Sequence, residues 1–218
     1  MSIRFKEFLA EEDREGDVAF KTFLNNCSDY FKYADKHDFY KVLYRGDKKK
    51  PKYVDLFFMN DRDVEAGRPP TDTPLVIHDI ANEIFEDEFG HRFRNGMMAS
   101  GNRVEASEYG NVYVIIPANG FTLCYSPVWE DFYKGSAINI TVAGVDETVI
   151  KKKVRVDIDV GRYKAGAAHL KNAIDSRNEV MLFPEEGSIL QYYMFTPDFW
   201  MHSVMPRLEW LGHQDRPG

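Results

Sequence analysis

Ser176-Arg177-Asn178-Glu179-Val180-Met181-Leu182-Phe183-Pro184 pins one acidic residue to the front of an unbroken apolar run. Val180 to Phe183 reads as a buried strand. A turn at Pro184–Gly187 then leads to a second run, Ile189 to Phe195, expected to pair with the first. A carboxylate at the mouth of a buried strand is held rigidly and partly shielded from water, which is how a fold presents a catalytic carboxylate. Glu179 is therefore the first candidate for chemistry.

Working outward, the period changes along the chain. Residues 17–33 read as an amphipathic helix, with Val18, Phe20, Phe23, Leu24, Cys27 and Phe31 mostly on one stripe and Asp17 placed to cap it. Residues 39–46 read as the first strand, ended by Gly46. A turn at Gly67–Pro74 precedes a helix over 74–89, with Thr73 at its cap, Pro74 at its first position and Gly90 as its stop. Ile77, Ile80, Ala81, Ile84, Phe85 and Phe89 form its buried face. Beyond Gly90, short strands are expected near 93–98, 112–117, 121–126 and 137–143, with a short helix at 103–109. From Lys153 to Val160, apolar Val154, Val156, Ile158 and Val160 alternate with other residues and predict a half-buried strand. Ala165 to Ile174 looks helical. Helices first and mostly short strands afterwards predict an α+β fold with antiparallel sheets. The expected division is a helical segment over 1–38, a main domain over 39–195, and a tail over 196–218 packing on that domain. Phe199, Trp200, Met201 and Trp210 would anchor the tail, with its last residues loose.

With 218 residues, 44% hydrophobic and 14% aromatic, the chain can build one globular core with appendages. Its net charge of −7 argues against a general nucleic-acid coat, which needs a dominant basic face. Two basic clusters, Lys48-Lys49-Lys50-Pro51-Lys52 and Lys151-Lys152-Lys153-Val154-Arg155, read as solvated surface or as a local rim attracting phosphate. Cys27 and Cys124 are too few for a disulfide framework and belong to no CxxC pair. No apolar stretch has the length of a membrane span, and the charged N-terminus has no signal-peptide core. The expectation is a soluble protein of a reducing cytoplasm without a membrane partner. The Asn139-Ile140-Thr141 sequon carries no meaning there.

Several chemistries lack their motifs. No Gly-x-Gly-x-x-Gly follows a strand. Gly161–Gly166 has the glycine spacing of a phosphate loop, but Ala167-Ala168 replaces its Lys-Ser/Thr pair. No Gly-x-Ser-x-Gly elbow occurs. The six histidines have no ligand spacing with one another or with cysteine, so no metal is expected.

Three other elements combine with Glu179: Tyr44-Arg45-Gly46, Gly96-Met97-Met98-Ala99-Ser100-Gly101, and a middle block running through Ala106 and Tyr109-Gly110 to Val112–Pro117. Arginine, serine and glutamate in that order, each near a strand edge, resemble the ADP-ribosyltransferase family. The resemblance covers roughly Tyr40 to Phe195. It looks closest to small phage-encoded transferase-like proteins, which share Arg-x-Pro-x-Asp-Thr-Pro (Arg68 to Pro74) and Asn-Glu-Val/Ile-Met (Asn178 to Met181). It implies antiparallel sheets around an NAD cleft, with NAD as substrate and no metal. Arg45, beside Tyr44 and Gly46, would grip the phosphate or ribose side of NAD. Ser100 would order the nicotinamide ribose and the glutamate. Glu179 would bond a ribose hydroxyl and stabilise the developing ribosyl cation. Arg94 reaches the diphosphate or is an ordinary strand charge, and Tyr109 stacks on nicotinamide or sits in the core. The acceptor would be a protein or nucleic acid, the protein a monomer or small homo-oligomer, and the setting a bacterial host cytoplasm.

Two departures stand out. Met98-Ala99-Ser100 replaces the family's Ser-Thr-Ser-like triplet, and Arg177 occupies the position where the family often carries Glu or Gln to choose its acceptor. Arg177 pairs with Glu179, touches an anionic acceptor, or points to water. His78 is expected to make a local hydrogen bond, and Asp72 to cap or brace the 74–89 helix. Two alternatives stay open: the same fold with catalysis lost, acting as a binding or inhibitory protein, or a phage structural protein unrelated to NAD.

Overall fold

Two short helices begin the computed structural model, which describes residues 17–35, 38–67, 69–70, 73–135 and 144–214, with backbone alone over 210–214. Helix α1 covers 17–26 and α2 covers Ser28–Tyr33. The single helix expected over 17–33 breaks at Cys27, whose backbone (φ −116°, ψ 20°) leaves the helical region. Of the expected stripe Phe20, Phe23 and Cys27 are buried, Leu24 and Phe31 are half-buried and Val18 is exposed, while Tyr30, not foreseen, is buried.

The strands are β1 (Leu43–Asp47), β2 (Asn60–Asp63), β3 (Met97–Ser100), β4 (Asn111–Pro117), β5 (Phe121–Tyr125), β6 (Lys164–Ala165), β7 (Glu179–Pro184) and β8 (Ile189–Phe195). They form one sheet in the order β2-β8-β4-β1-β3-β7-β5-β6. Every neighbouring pair is antiparallel. The α+β class with antiparallel pairing is therefore as expected. Strand β1 starts later than the sequence suggested, because residues 39–40 turn and Trp200 Nε1 donates to the Phe39 carbonyl at 3.0 Å.

Strands β7 and β8 do not form the expected hairpin. Strand β7 lies between β3 and β5, whereas β8 lies between β4 and β2. Val180 to Pro184 are all buried, so β7 is a central strand that needs ladder partners on both edges. The connections β4–β5 and β7–β8 both carry the chain from one half of the sheet to the other. They are tied together where Glu185 N donates to Gly120 O at 2.7 Å and Ala118 N to Gln191 O at 2.9 Å.

Helix α3 (Leu75–Phe89) ends at left-handed Gly90 (φ 82°), the conformation that favours glycine there. It buries Ile77, Ile80, Ala81, Ile84 and Phe85 as expected, and also His78 and Asn82, while Phe89 is only partly covered. Pro74 stands at the cap and Thr73 makes no capping bond, which corrects the expected start.

Residues 153–160 are not a strand but part of α6 (Glu147–Gly161). The Asp146 carboxylate caps this helix by accepting from Thr148 N at 2.8 Å. Its buried residues Ile150, Val154, Asp157, Ile158 and Gly161 follow helical spacing, leaving Val156 and Val160 exposed. Lys151 of its basic cluster bonds Glu83 of α3 at 2.8 Å, and Arg155 bonds Glu88 at 3.0 Å. Those charges join two helices instead of forming a phosphate rim.

A 3₁₀ turn at Phe93–Asn95 takes the place of the first part of the strand expected at 93–98. The remaining helices are α4 (Arg103–Ser107), α5 (Phe132–Gly135), α7 (Leu170–Ser176), α8 (Pro197–Phe199) and α9 (Met205–Gln214). A 3₁₀ turn at Ala167–His169 opens α7, and a π-helical turn at Trp200–Val204 joins α8 to α9.

One core runs from Phe20 and Phe23 through the sheet to Trp200, Val204 and Leu208, so helix α1, the sheet and the tail share it. Phe23 packs on Tyr193 and Phe195, with ring centroids 4.9 and 5.5 Å away. Cys27 and Cys124 are buried and free. Among the described residues no helix is long and apolar enough to cross a membrane. The strand expected near 137–143, the sequon, Arg68, Asp72, the end of the tail at 215–218 and the Trp210 side chain lie outside the description.

Candidate functional site

Neighbouring strands place Tyr44 opposite Ser100 and Ser100 opposite Glu179. Residues far apart in the chain thus form one row across β1, β3 and β7. Above that row lies a cleft of about 660 Å³, within the range of small-molecule sites. Tyr44, Arg45, Gly46, Arg94, Ser100, Tyr109 and Glu179, all singled out by sequence, line this cleft.

Gly46 explains how one wall is built. A Cβ placed there would lie 1.9 Å from the Ala106 carbonyl oxygen and 2.9 Å from Tyr109 Cβ. Glycine therefore lets α4 settle directly on β1. The backbone that comes closest to Gly46 is that of α4. It brings Glu105 and Tyr109 to the cleft, and Tyr109 is 43% exposed there instead of joining the core.

Arg45 Nη1 donates to the Met98 carbonyl at 2.9 Å, and its Nε lies 4.0 Å from Asp47. Burial, and then the nearby Arg62 cation, hold Arg45 below its ordinary pKa. An anion entering the cleft would relieve that strain on its charge. Lys48 and Lys49 stand on the same rim, so part of the first basic cluster faces the cleft.

Glu179 is placed by its backbone, which donates from N to the Glu130 carbonyl at 2.6 Å, and by Arg94, whose Nη1 lies 2.8 Å from Glu179 Oε1. Arg94 is 7% exposed, and its guanidinium lies 4.8 Å from the centre of the Phe132 ring. The turn carrying it is fixed to α3, because Arg94 N donates to Asn82 Oδ1 at 2.9 Å and Asn82 Nδ2 donates to Asn95 Oδ1 at 2.8 Å. His78 Nε2 lies 3.2 Å from Asn95 Oδ1, the local bond expected of it. Arg94 is thus not an ordinary strand charge: it is the partner of Glu179 and lines the cleft. The carboxylate's charge is felt deep in the fold. After burial, the largest cause, it helps push Tyr163 and Cys124 well above their ordinary values.

Ser100 does not hold Glu179, contrary to expectation. Its Oγ lies 2.9 Å from Glu105 Oε2 and 3.0 Å from the Arg177 carbonyl oxygen, and it accepts from Asn102 N at 3.0 Å. Arg177 takes the left-handed conformation after α7 (φ 62°), and its exposed side chain bonds Asn102 Oδ1 at 3.2 Å. The expected alternative of an Arg177–Glu179 pair is therefore not formed.

Glu105 was missed by sequence reading. It is 7% exposed, and burial raises its pKa to about 7. The usable signal was its place in the first turn of the short helix capped by Asn102, five residues beyond Ser100. Asp131, Tyr133 and Lys134 complete the facing wall. Lys134 is held well above its ordinary pKa, chiefly by its bond to Glu130 at 2.9 Å.

Comparison with protein-family models, curated proteins and solved structures finds no match to this chain.

Proposed function

We propose that this cleft takes NAD and that the protein is a mono-ADP-ribosyltransferase with an ADP-ribosyltransferase-like fold, a phage-type effector modifying a macromolecule of the bacterial cytoplasm. The observation that carries the reading is the convergence of Arg45, Ser100 and Glu179 on one cleft. Arg45, a half-buried cation beside a second arginine, suits the anionic diphosphate. Glu179 keeps Oε1 on Arg94, and among the described residues Oε2 has no hydrogen-bond partner, leaving it for a ribose hydroxyl. As the bond between ribose C1′ and the nicotinamide nitrogen breaks, its electron pair leaves with nicotinamide. The carboxylate then stabilises the positive charge left on the ribose. An acceptor nucleophile closes the new bond at C1′ and releases its proton.

Incubation with adenylate-labelled NAD and cell extract tests the reading. Wild type is expected to release nicotinamide and label a macromolecule, and Glu179→Gln to lose roughly 100-fold or more of that rate. No nicotinamide release, together with no NAD-induced rise in melting temperature, overturns it. A second reading is favoured by the Arg94 cation sitting on Glu179: a transferase fold whose catalysis is lost and which acts by binding. In that case Glu179→Ala retains the full biological effect.

A further inference from the structure

The polar cluster between Glu105, Ser100 and the Arg177 carbonyl contains a proton-counting problem. Ser100 Oγ already accepts from Asn102 N, and its one proton faces two acceptors, Glu105 Oε2 at 2.9 Å and the Arg177 carbonyl at 3.0 Å. With Glu105 ionised, only one of them can be served. With Glu105 protonated, its hydroxyl donates to Ser100 Oγ, and Ser100 donates onward to the Arg177 carbonyl. Every contact is then satisfied, as burial demands.

We infer that Glu105 is a positioning residue held as a neutral acid, whose proton directs the Ser100 hydroxyl to the Arg177 carbonyl and so fixes the turn from which Glu179 projects. Arg177 is the left-handed residue closing α7, two positions before Glu179, so its carbonyl is a lever on the carboxylate. When Glu105 ionises, Ser100 turns its proton to the new charge and the Arg177 carbonyl loses its donor. The charged groups facing Glu105 are Glu130 and Asp131, which oppose its ionisation, and Lys134, which favours it. Burial outweighs all of them, consistent with its raised pKa. Only the consequence for NAD chemistry rests on the transferase reading; the proton does not.

Carboxyl carbon NMR of the full chain, with Glu105 assigned by comparison with Glu105→Gln, tests the inference without NAD. The Glu105 signal is expected to titrate near pH 7. The folded pKa lies above the ordinary glutamate value of 4.5, so this proton's contribution to stability is full below that value and is lost as pH rises through about 7. Wild type should therefore lose melting temperature relative to Glu105→Gln as pH rises from about 4.5 to about 7, with no further relative loss above that. If the glutamine variant does not fold, Glu105→Asp, which withdraws the acid from Ser100, gives the assignment. A Glu105 titration in the ordinary glutamate range, or parallel melting curves across that span, overturns the proposal. If NAD cleavage is present, the wild type should lose rate above the midpoint and Glu105→Gln should not. A protein that shows the titration but neither binds nor cleaves NAD sinks the transferase reading alone.

Discussion

Arg94 and Glu179 meet at 2.8 Å with side chains 8% and 21% exposed. Between groups so shielded, attraction is strong, and so is the penalty for leaving one of them alone. Arg94→Ala should destabilise the fold by about 3 kcal/mol, since it strands a largely shielded carboxylate without its partner. Chemical denaturation of wild type and variant measures it, and an unchanged midpoint would contradict this account. Glu179 was legible from sequence because an acid before an apolar run is a local feature. Its partner was not, because Arg94 is 85 residues away and reaches it only through the β3–β7 pairing. Glu105 escaped for the same reason: its sequence context is an ordinary exposed helix, and its burial comes from the packing of α4 against β1, β3 and β4.

Element boundaries followed local chemistry wherever a residue type forces a conformation. Gly90 ends α3, Asn102 caps α4 and Asp146 caps α6. The failure at 153–160 came from reading four apolar residues at alternate positions. Extending the window back to Asp146 and Ile150 reveals the cap and the helical stripe, and the α6–α3 ion pairs favour that face. The contact of α4 with β1 makes a sharper prediction. Gly46→Ala would press a methyl group against the Ala106 carbonyl and Tyr109, and should destabilise by about 1–3 kcal/mol while displacing α4 from the cleft. Thermal melting reads the first effect. Weakened NAD binding relative to wild type, at a temperature where both are folded, reads the second.

At the scale of the molecule, a shared core couples helix α1, the sheet and the C-terminal helices. Phe23 touches Phe20, Phe31, Phe57, Tyr193 and Phe195 at once. Phe23→Ala should cost about 3–5 kcal/mol, and unfolding should stay a single transition, because no segment retains a core of its own. Separate melting of the N-terminal helix would show instead that the core is divisible. The crossed connections at 118–120 and 185–188 reinforce this coupling, as each joins the two halves of the sheet.

Periodicity, caps and turn residues determined from sequence alone that the chain is α+β and where its earlier helices and α7 lie, while the family resemblance pointed to Arg45, Ser100 and Glu179. These are properties of residues within a turn or two of each other. Strand order, the Arg94–Glu179 pair and the proton shared by Glu105 and Ser100 were decided only by the tertiary structure. Such features arise from which backbone edges pair and which side chains lose water together, and no local stretch of the chain encodes either.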